Sequence, residues 1–221
     1  MIPRVTIDAA EMPDGGGEIR LVRRGEEYSI MLGATELMNS RLSGSEEALA
    51  RIAAERIAGR ARPRVLIGGL GMGFTLKAAL QAFAGDAEIV VAELVPAVVR
   101  WAKGPLAHLF EGSLEDPRVR IEEADVAVPI RAGPWDAILL DVDNGPDGLT
   151  RAANDRLYDA AGLAAAKAAL RPGGVLAVWS SAPDRRFTRR LREAGFRVDE
   201  VAARATARGR GGRHNLWFAT R

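Results

Sequence analysis

Arg64-Val65-Leu66-Ile67-Gly68-Gly69-Leu70-Gly71-Met72-Gly73-Phe74-Thr75-Leu76 is the stretch whose reading decides the fold. A run of apolar β-formers enters glycines at 68, 69, 71 and 73, and a helical pattern starts at Phe74, so the segment reads as strand, tight turn, helix. Glycines let the backbone turn sharply and approach a ligand, and the helix N-terminus presents free N–H groups beside it. Open α/β sheets begin a nucleotide site in this way. Close packing of strand on helix also selects glycine, so the neighbouring segments must decide between the two.

Downstream, the pattern repeats as strand then helix. The glycine turn leads into a helix from Phe74 to Phe83. A second strand, Glu88 to Ala92, ends at Glu93, and Pro96 suits the first turn of a helix running from Ala97 to Phe110. Further strands are expected at Val119–Glu123, ending at Ala124-Asp125, and at Trp135–Leu140, ending at Asp141. A helix from Asp155 to Leu170 stops at Arg171-Pro172-Gly173-Gly174, before a strand from Val175 to Trp179. Asp184 caps a helix to Ala194, and strands Phe196–Val201 and Asn215–Thr220 follow. Such alternation predicts an α/β fold whose mostly parallel sheet is covered on both faces.

Residues 1–40 read differently, as a small antiparallel β unit with strands at Val5–Asp8, Glu18–Arg23 and Tyr28–Leu32. The unit holds too few apolar residues for a core of its own and is expected to pack on the α/β domain of residues 41–221 or on a second subunit. A helix begins near Ser45, with Ala48, Leu49, Ile52, Ala53 and Ile57 on one stripe and Glu46 and Glu47 in its first turn. That pair reads as compensation of the helix dipole, with Glu47 the one able to face a substrate.

Composition narrows the function classes. The 221 residues hold 31 Lys and Arg against 29 Asp and Glu, a net charge of +2 that does not point to a nucleic-acid partner. No cysteine is present, which excludes disulfides, thiolate metal ligation and a cysteine nucleophile. The only histidines, His108 and His214, lie far apart, so no metal site is expected. No apolar run approaches the ~20 residues of a membrane span, and Met1-Ile2-Pro3-Arg4 opens no signal-peptide pattern, so a cytoplasmic protein without membrane contact is expected. The basic stretch Arg204 to His214 reads as a solvated hairpin loop, and Trp101, Trp135, Trp179 and Trp217 as core.

Ligands of open parallel sheets bind outside the carboxyl ends of the strands. Four successive strand ends here carry the glycine turn, Glu93, Asp125 and Asp141. Glu93 stands twenty residues beyond Gly73, a spacing suited to accepting both hydroxyls of a ribose. Asp125 suits an exocyclic amine, and Asp141 a position nearer a reacting centre.

The run from the glycine turn through Glu93, Glu115-Asp116-Pro117-Arg118-Val119, Asp125, Asp141 and Leu170-Arg171-Pro172-Gly173-Gly174-Val175-Leu176 resembles the spermidine synthase family, within the class I S-adenosylmethionine-dependent transferases. The resemblance covers nearly the whole chain, the N-terminal β unit included. It implies a class I methyltransferase-type (Rossmann-like) fold and, as in that family, a homodimer. It also implies S-adenosylmethionine or its decarboxylated form as cofactor, held by Gly68, Gly69, Gly71, Gly73, Glu93, Leu94, Asp125 and Val126. Asp141 matches the family's catalytic aspartate, with Asp143 second. Two segments depart from the pattern. The family's aspartate within the glycine loop is replaced by Gly71, and the catalytic run is Asp141-Val142-Asp143-Asn144-Gly145-Pro146-Asp147.

The segment expected to bind a small-molecule acceptor departs further. Counting back from Glu47 as the family's final Glu, its Gln position holds Glu36, its Asp-Glu pair is Arg41-Leu42, and its Tyr position is Ser45. A guanidinium repels an ammonium chain, so Arg41 with Ser40, Ser43, Ser45 and the helix N-terminus suggests a carboxylate or phosphate site instead, the alternative being an exposed arginine in a structural salt bridge. Such a site would take an acidic substrate or the carboxylate of intact S-adenosylmethionine. Candidate substrate residues are therefore Glu36, Arg41 and Glu47. The expected activity is methyl or aminopropyl transfer to an unidentified acceptor. Its alternatives are true polyamine aminopropyl transfer and a non-catalytic nucleoside-binding scaffold.

Overall fold

The structure is a computed structural model that describes residues 2–13, 15–142, 146, 155–206 and 212–221. Four N-terminal strands, β1 (Val5–Glu11), β2 (Glu18–Arg24), β3 (Glu27–Leu32) and β4 (Thr35–Asn39), form an antiparallel meander. The fourth strand was not expected from sequence. It is a short hairpin return, pairing Leu32 with Thr35 across a turn in which Gly33 takes a φ of +56°.

Helix α1 (Gly44–Arg56) leads into the main body: β5 (Arg64–Gly68), α2 (Phe74–Ala82), β6 (Glu88–Glu93), α3 (Pro96–Lys103), α4 (Ala107–Phe110), β7 (Val119–Glu123), α5 (Ala127–Arg131), β8 (Trp135–Leu140), α6 (Asp155–Tyr158), α7 (Ala160–Ala169), β9 (Leu170–Ser180), α8 (Arg185–Glu193), β10 (Arg197–Arg204) and β11 (Arg213–Thr220). The seven-stranded sheet runs β10-β11-β9-β8-β5-β6-β7, and only β11 is antiparallel to its neighbours. The mostly parallel α/β architecture with an antiparallel N-terminal unit is the one expected.

Two expected helices are each broken in two. Gly104 before Pro105 leaves the helical region, because a proline ring clashes with a helical residue ahead of it, and this separates α3 from α4. Asp159 is extended and accepts from the Gly162 N–H at 2.8 Å, so it starts α7 afresh after α6. Helix α5 was missed because Pro129 and the flanking valines disguise its single turn.

The β unit shares the core of the main domain. Met12, Ile19, Leu21, Tyr28 and Ile30 pack in one cluster with Leu49 and Ala53 of α1, Val65 and Ile67 of β5, and Trp101 of α3. The indole N–H of Trp101 also donates to Asp8 Oδ2 at 2.7 Å, tying β1 to α3. The opposite face of the sheet packs Leu66, Ile138, Leu140, Leu163, Phe187 and Trp217. Three of the four tryptophans, Trp101, Trp135 and Trp217, are fully buried. No helix among the described residues is long and apolar enough to cross a membrane.

Parallel pairing in register brings the strand ends to one edge. Gly68 lies opposite both Ala92 and Leu140, and Glu93 opposite Glu123. Backbone bonds continue past the strands, from Gly69 N–H to Ala92 O at 2.9 Å and from Asp141 N–H to Gly68 O at 3.0 Å. Gly69 has φ +89°, and a Cβ there would stand 2.3 Å from the Asp141 carbonyl oxygen. Gly69→Ala is accordingly expected to cost at least about 2 kcal/mol in urea unfolding, from backbone strain and the collision together. Gly85→Ala, in open space, is the control and should change stability little.

Candidate active site

At this edge the two sheets enclose a cavity of about 300 Å³. Its floor is Gly69, Gly71, Glu93, Asp125, Val126 and Asp141; its roof comes from β4 and α1, through Glu36, Met38 and Glu46. Gly71 is where the two meet, since a Cβ on it would lie 2.4 Å from the Met38 methyl. Of the four glycines, Gly69 and Gly71 line the cavity. Gly68 and Gly73 do not. A Cβ on Gly68 would press on Val126 and Leu140, and one on Gly73 on the Phe110 ring, so these two serve packing.

Glu93 is buried, and both its oxygens are in use: Leu70 N–H donates to Oε2 at 2.9 Å and Val95 N–H to Oε1 at 2.8 Å. Burial raises its pKa, against the backbone donors that hold the charge. The Gly71 and Leu94 N–H groups also bear on the carboxylate. Leu94 lines the wall beside it, and Asp125 accepts from Ala127 N–H at 2.8 Å, starting α5. Val126 follows in the same wall.

Asp141 is bound by a residue that sequence reading missed. Thr75, in the first turn of α2, donates its hydroxyl proton to Asp141 Oδ2 at 2.6 Å. Burial pushes the Asp141 carboxyl up to about 6, with the Thr75 bond opposing. Asp143, Asn144, Gly145 and Asp147 lie outside the described residues, as do residues 207–211 of the basic stretch.

The roof corrects the substrate candidates. Glu46, read from sequence as dipole compensation, lines the cavity; Glu47 is exposed and lines a groove on the far side of α1 with Arg51 and Gln81. One residue is 100° of helix, so both cannot face inward. The signal was present, because Glu46 is in phase with the buried Leu49, Ala50 and Ala53. Burial and the Asp141 charge push the Glu46 carboxyl up to about 7.

Glu36 lines the mouth, accepting from Ser29 Oγ at 2.7 Å and Asn39 Nδ2 at 2.9 Å. Arg41 does not assemble an anion site. Its guanidinium is engaged by Glu27 at 3.1 Å and Glu36 at 3.7 Å, outside the cavity lining. Ser40 Oγ accepts from Tyr28 N–H, and Ser45 is buried with its hydroxyl taken by side chains.

Ser45 joins a cluster that sequence reading also missed. Trp179 Nε1–H donates to Ser45 Oγ at 3.0 Å, Glu46 Oε2 lies 2.5 Å from it, and His214 Nδ1 lies 2.7 Å from it. Trp179, Glu46 and His214 all line the cavity, so Trp179 is more than core. Strand alternation carries the cue. Trp179 follows Val175 and Ala177, and His214 precedes Leu216 and Phe218, on the face that α1 covers.

Charge divides the two edges of the sheet. At the amino edge the buried Asp136 accepts from Arg60 and Arg171, each at 2.6 Å, and from Arg64 N–H at 2.9 Å. At the carboxyl edge, Glu46, Glu93, Asp125 and Asp141 line the cavity, and among the described residues no lysine or arginine lines it with them.

No family model matches the chain. It is 30% identical over 193 residues to a polyamine aminopropyltransferase of Mycobacterium tuberculosis, an alignment covering 82% of this chain and 35% of that protein. It is 33% identical over 123 residues to polyamine aminopropyltransferase 1 of Streptomyces coelicolor, covering 54% and 22%. The chain thus spans about a third or less of the length of these relatives. Spermidine synthase from Thermotoga maritima superposes with a TM-score of 0.76 at 20% identity, over 97% of this chain and 72% of that one, a likeness of fold.

Two measurements check the electrostatics. In carboxyl NMR titrations, Thr75→Val should move Asp141 above about 6, and Asp141→Asn should bring Glu46 below about 7, because the first removes an opposing hydrogen bond and the second a repelling charge. A carboxyl whose folded pKa is raised supports the fold below its unfolded pKa and loses that support as pH rises through the folded value. Glu46→Gln should therefore raise stability at pH 8, on the order of 1–3 kcal/mol, and leave it nearly unchanged at pH 4.

Proposed function

We propose that this chain, which is spermidine synthase-like with a class I methyltransferase-type fold, transfers the aminopropyl group of decarboxylated S-adenosylmethionine to a primary amine. One observation carries this: five carboxylates line a cavity of about 300 Å³, and among the described residues no lysine or arginine lines it with them. Buried carboxylates without a cation are costly, and a ligand that brings positive charge relieves them. The donor brings a sulfonium and an ammonium, and the acceptor a second ammonium. Intact S-adenosylmethionine brings a carboxylate as well, which this lining disfavours. The identities of the curated relatives point the same way.

The residues present fit the donor. Glu93 on the cavity floor is the acceptor for the ribose hydroxyls, and Asp125 with Val126 and Leu94 frames the base. Gly69 and Gly71 line the cavity, and their lack of a Cβ lets Asp141 and Met38 close on the loop that would face the aminopropyl arm. When bound, the sulfonium supplies its own leaving group, so the chain has only to align the amine and receive its proton. Asp141, fixed by Thr75, is the general base, and Glu46 holds the ammonium opposite it. Glu36 at the mouth suits a distal positive group of the acceptor.

The test is to incubate the protein with decarboxylated S-adenosylmethionine and a panel of diamines and to read products by mass spectrometry. Expected is the amine plus one aminopropyl group, with no methylated product from the intact cofactor. The rate should rise with pH through about 6 to 7, as the Asp141 and Glu46 pair gives up its protons. Asp141→Asn should lower kcat by about 10²–10⁴-fold while donor affinity is nearly unchanged. Methyl transfer from the intact cofactor, or full turnover by Asp141→Asn, contradicts the proposal.

A further inference from the structure

Each aminopropyl transfer sheds one proton. The acceptor ammonium gives a proton to a carboxylate, the free amine attacks, the C–N bond forms, the C–S bond breaks and its electron pair stays on sulfur. The product amine keeps its remaining protons. The shed proton sits in a cavity whose carboxylates are enclosed by the β unit, and it must leave before the next turnover.

We infer that Glu46, Ser45 and His214 form a proton relay that carries this proton from the Glu46 and Asp141 carboxylates to the His214 imidazole. The inference rests on the transfer reading above for the source of the proton; the relay itself rests on geometry. Ser45 is fully buried, and its hydroxyl has three partners: Trp179 Nε1 at 3.0 Å, Glu46 Oε2 at 2.5 Å and His214 Nδ1 at 2.7 Å. A hydroxyl donates once and accepts twice. Indole N–H is a donor only, so Trp179 always fills one acceptor site.

Two arrangements satisfy the rest. In one, the Glu46 carboxylate accepts from Ser45, and His214 Nδ1–H donates to Ser45. In the other, protonated Glu46 donates to Ser45, and Ser45 donates to a bare His214 Nδ1. Passage from the second to the first moves one proton from Glu46 to Ser45 and one from Ser45 to Nδ1, leaving an imidazolium. Loss of the Nε2 proton from the half-buried ring then completes the exit. Without Trp179, Ser45 would have a free acceptor site and the two arrangements would no longer be the only ones.

The groups facing this end of the cavity make Glu46 the member that holds the proton and His214 the one that passes it on. Glu36 of β4, Glu93 at the end of β6, Asp125 after β7 and Asp141 after β8 line the cavity with Glu46, and all are acids. Burial lowers the His214 pKa, so the ring releases what it receives.

Two arms test the relay. With decarboxylated S-adenosylmethionine and putrescine as probes, Ser45→Ala and His214→Ala should lower kcat at least about tenfold with donor KM little changed. Added imidazole should restore His214→Ala and not Ser45→Ala, a rescue that a merely structural role does not give. The second arm needs no turnover. The sequence has only two histidines, so His108→Gln leaves His214 as the single imidazole signal. Its 15N titration should show a tautomer change linked to Glu46, absent in Glu46→Gln and Ser45→Ala. Wild-type protein with no aminopropyl transfer would count against the function and leave the second arm to judge the relay. Full kcat in His214→Ala, or a His214 titration indifferent to Glu46→Gln, overturns it.

Discussion

A carboxylate buried beside arginine is settled, whereas one buried among other acids is not, and this chain contains both arrangements on one sheet. Asp136 at the amino edge is held by Arg60, Arg171 and a backbone N–H, and its role is to close the bottom of the sheet. Glu93, Glu46 and Asp141 at the carboxyl edge have hydroxyl and backbone donors in place of cations. Their raised pKa values follow from that, with burial the largest cause in each. Such strain persists where the rest of the fold over-determines it.

What over-determines it is the sheet and its cover. In-register parallel strands place Gly68, Glu93 and Asp141 at one edge, and bonds from Gly69 N–H and Asp141 N–H lock the loops together. The β unit then roofs the edge, because its apolar face packs into the core of the main domain. Met38 over Gly71 and Trp101 bonded to Asp8 fix that roof in place. The cavity is therefore a product of two sheets, and its acidity comes from both: Glu36 and Glu46 above, Glu93, Asp125 and Asp141 below.

The floor was legible in the sequence and the roof was not. Strand-end residues can be read off because a strand's end and the edge it joins follow from alternation of elements, which is how Glu93, Asp125 and Asp141 were found. Glu46 carried a phase signal, shared with Leu49, Ala50 and Ala53, but Glu47 drew attention through motif counting. Arg41 read either as an anion contact or as an arginine in a structural salt bridge, and the structure has the salt bridge, with a partner, Glu27, fourteen residues back across a hairpin that sequence alone does not fold. The contact of Ser45 with His214 spans 169 residues and depends on β11 running antiparallel beside β9, so no local pattern announces it. Thr75 reaching Asp141 is of the same kind.

An acidic cavity with no lysine or arginine in its lining among the described residues selects ligands by positive charge. Calorimetric titration at pH 8 with decarboxylated and with intact S-adenosylmethionine tests it most directly, since the two differ by one carboxylate. The account predicts that the decarboxylated form binds at least about tenfold more tightly, a difference of about 1.4 kcal/mol or more. Equal affinity, or tighter binding of the intact form, would contradict it.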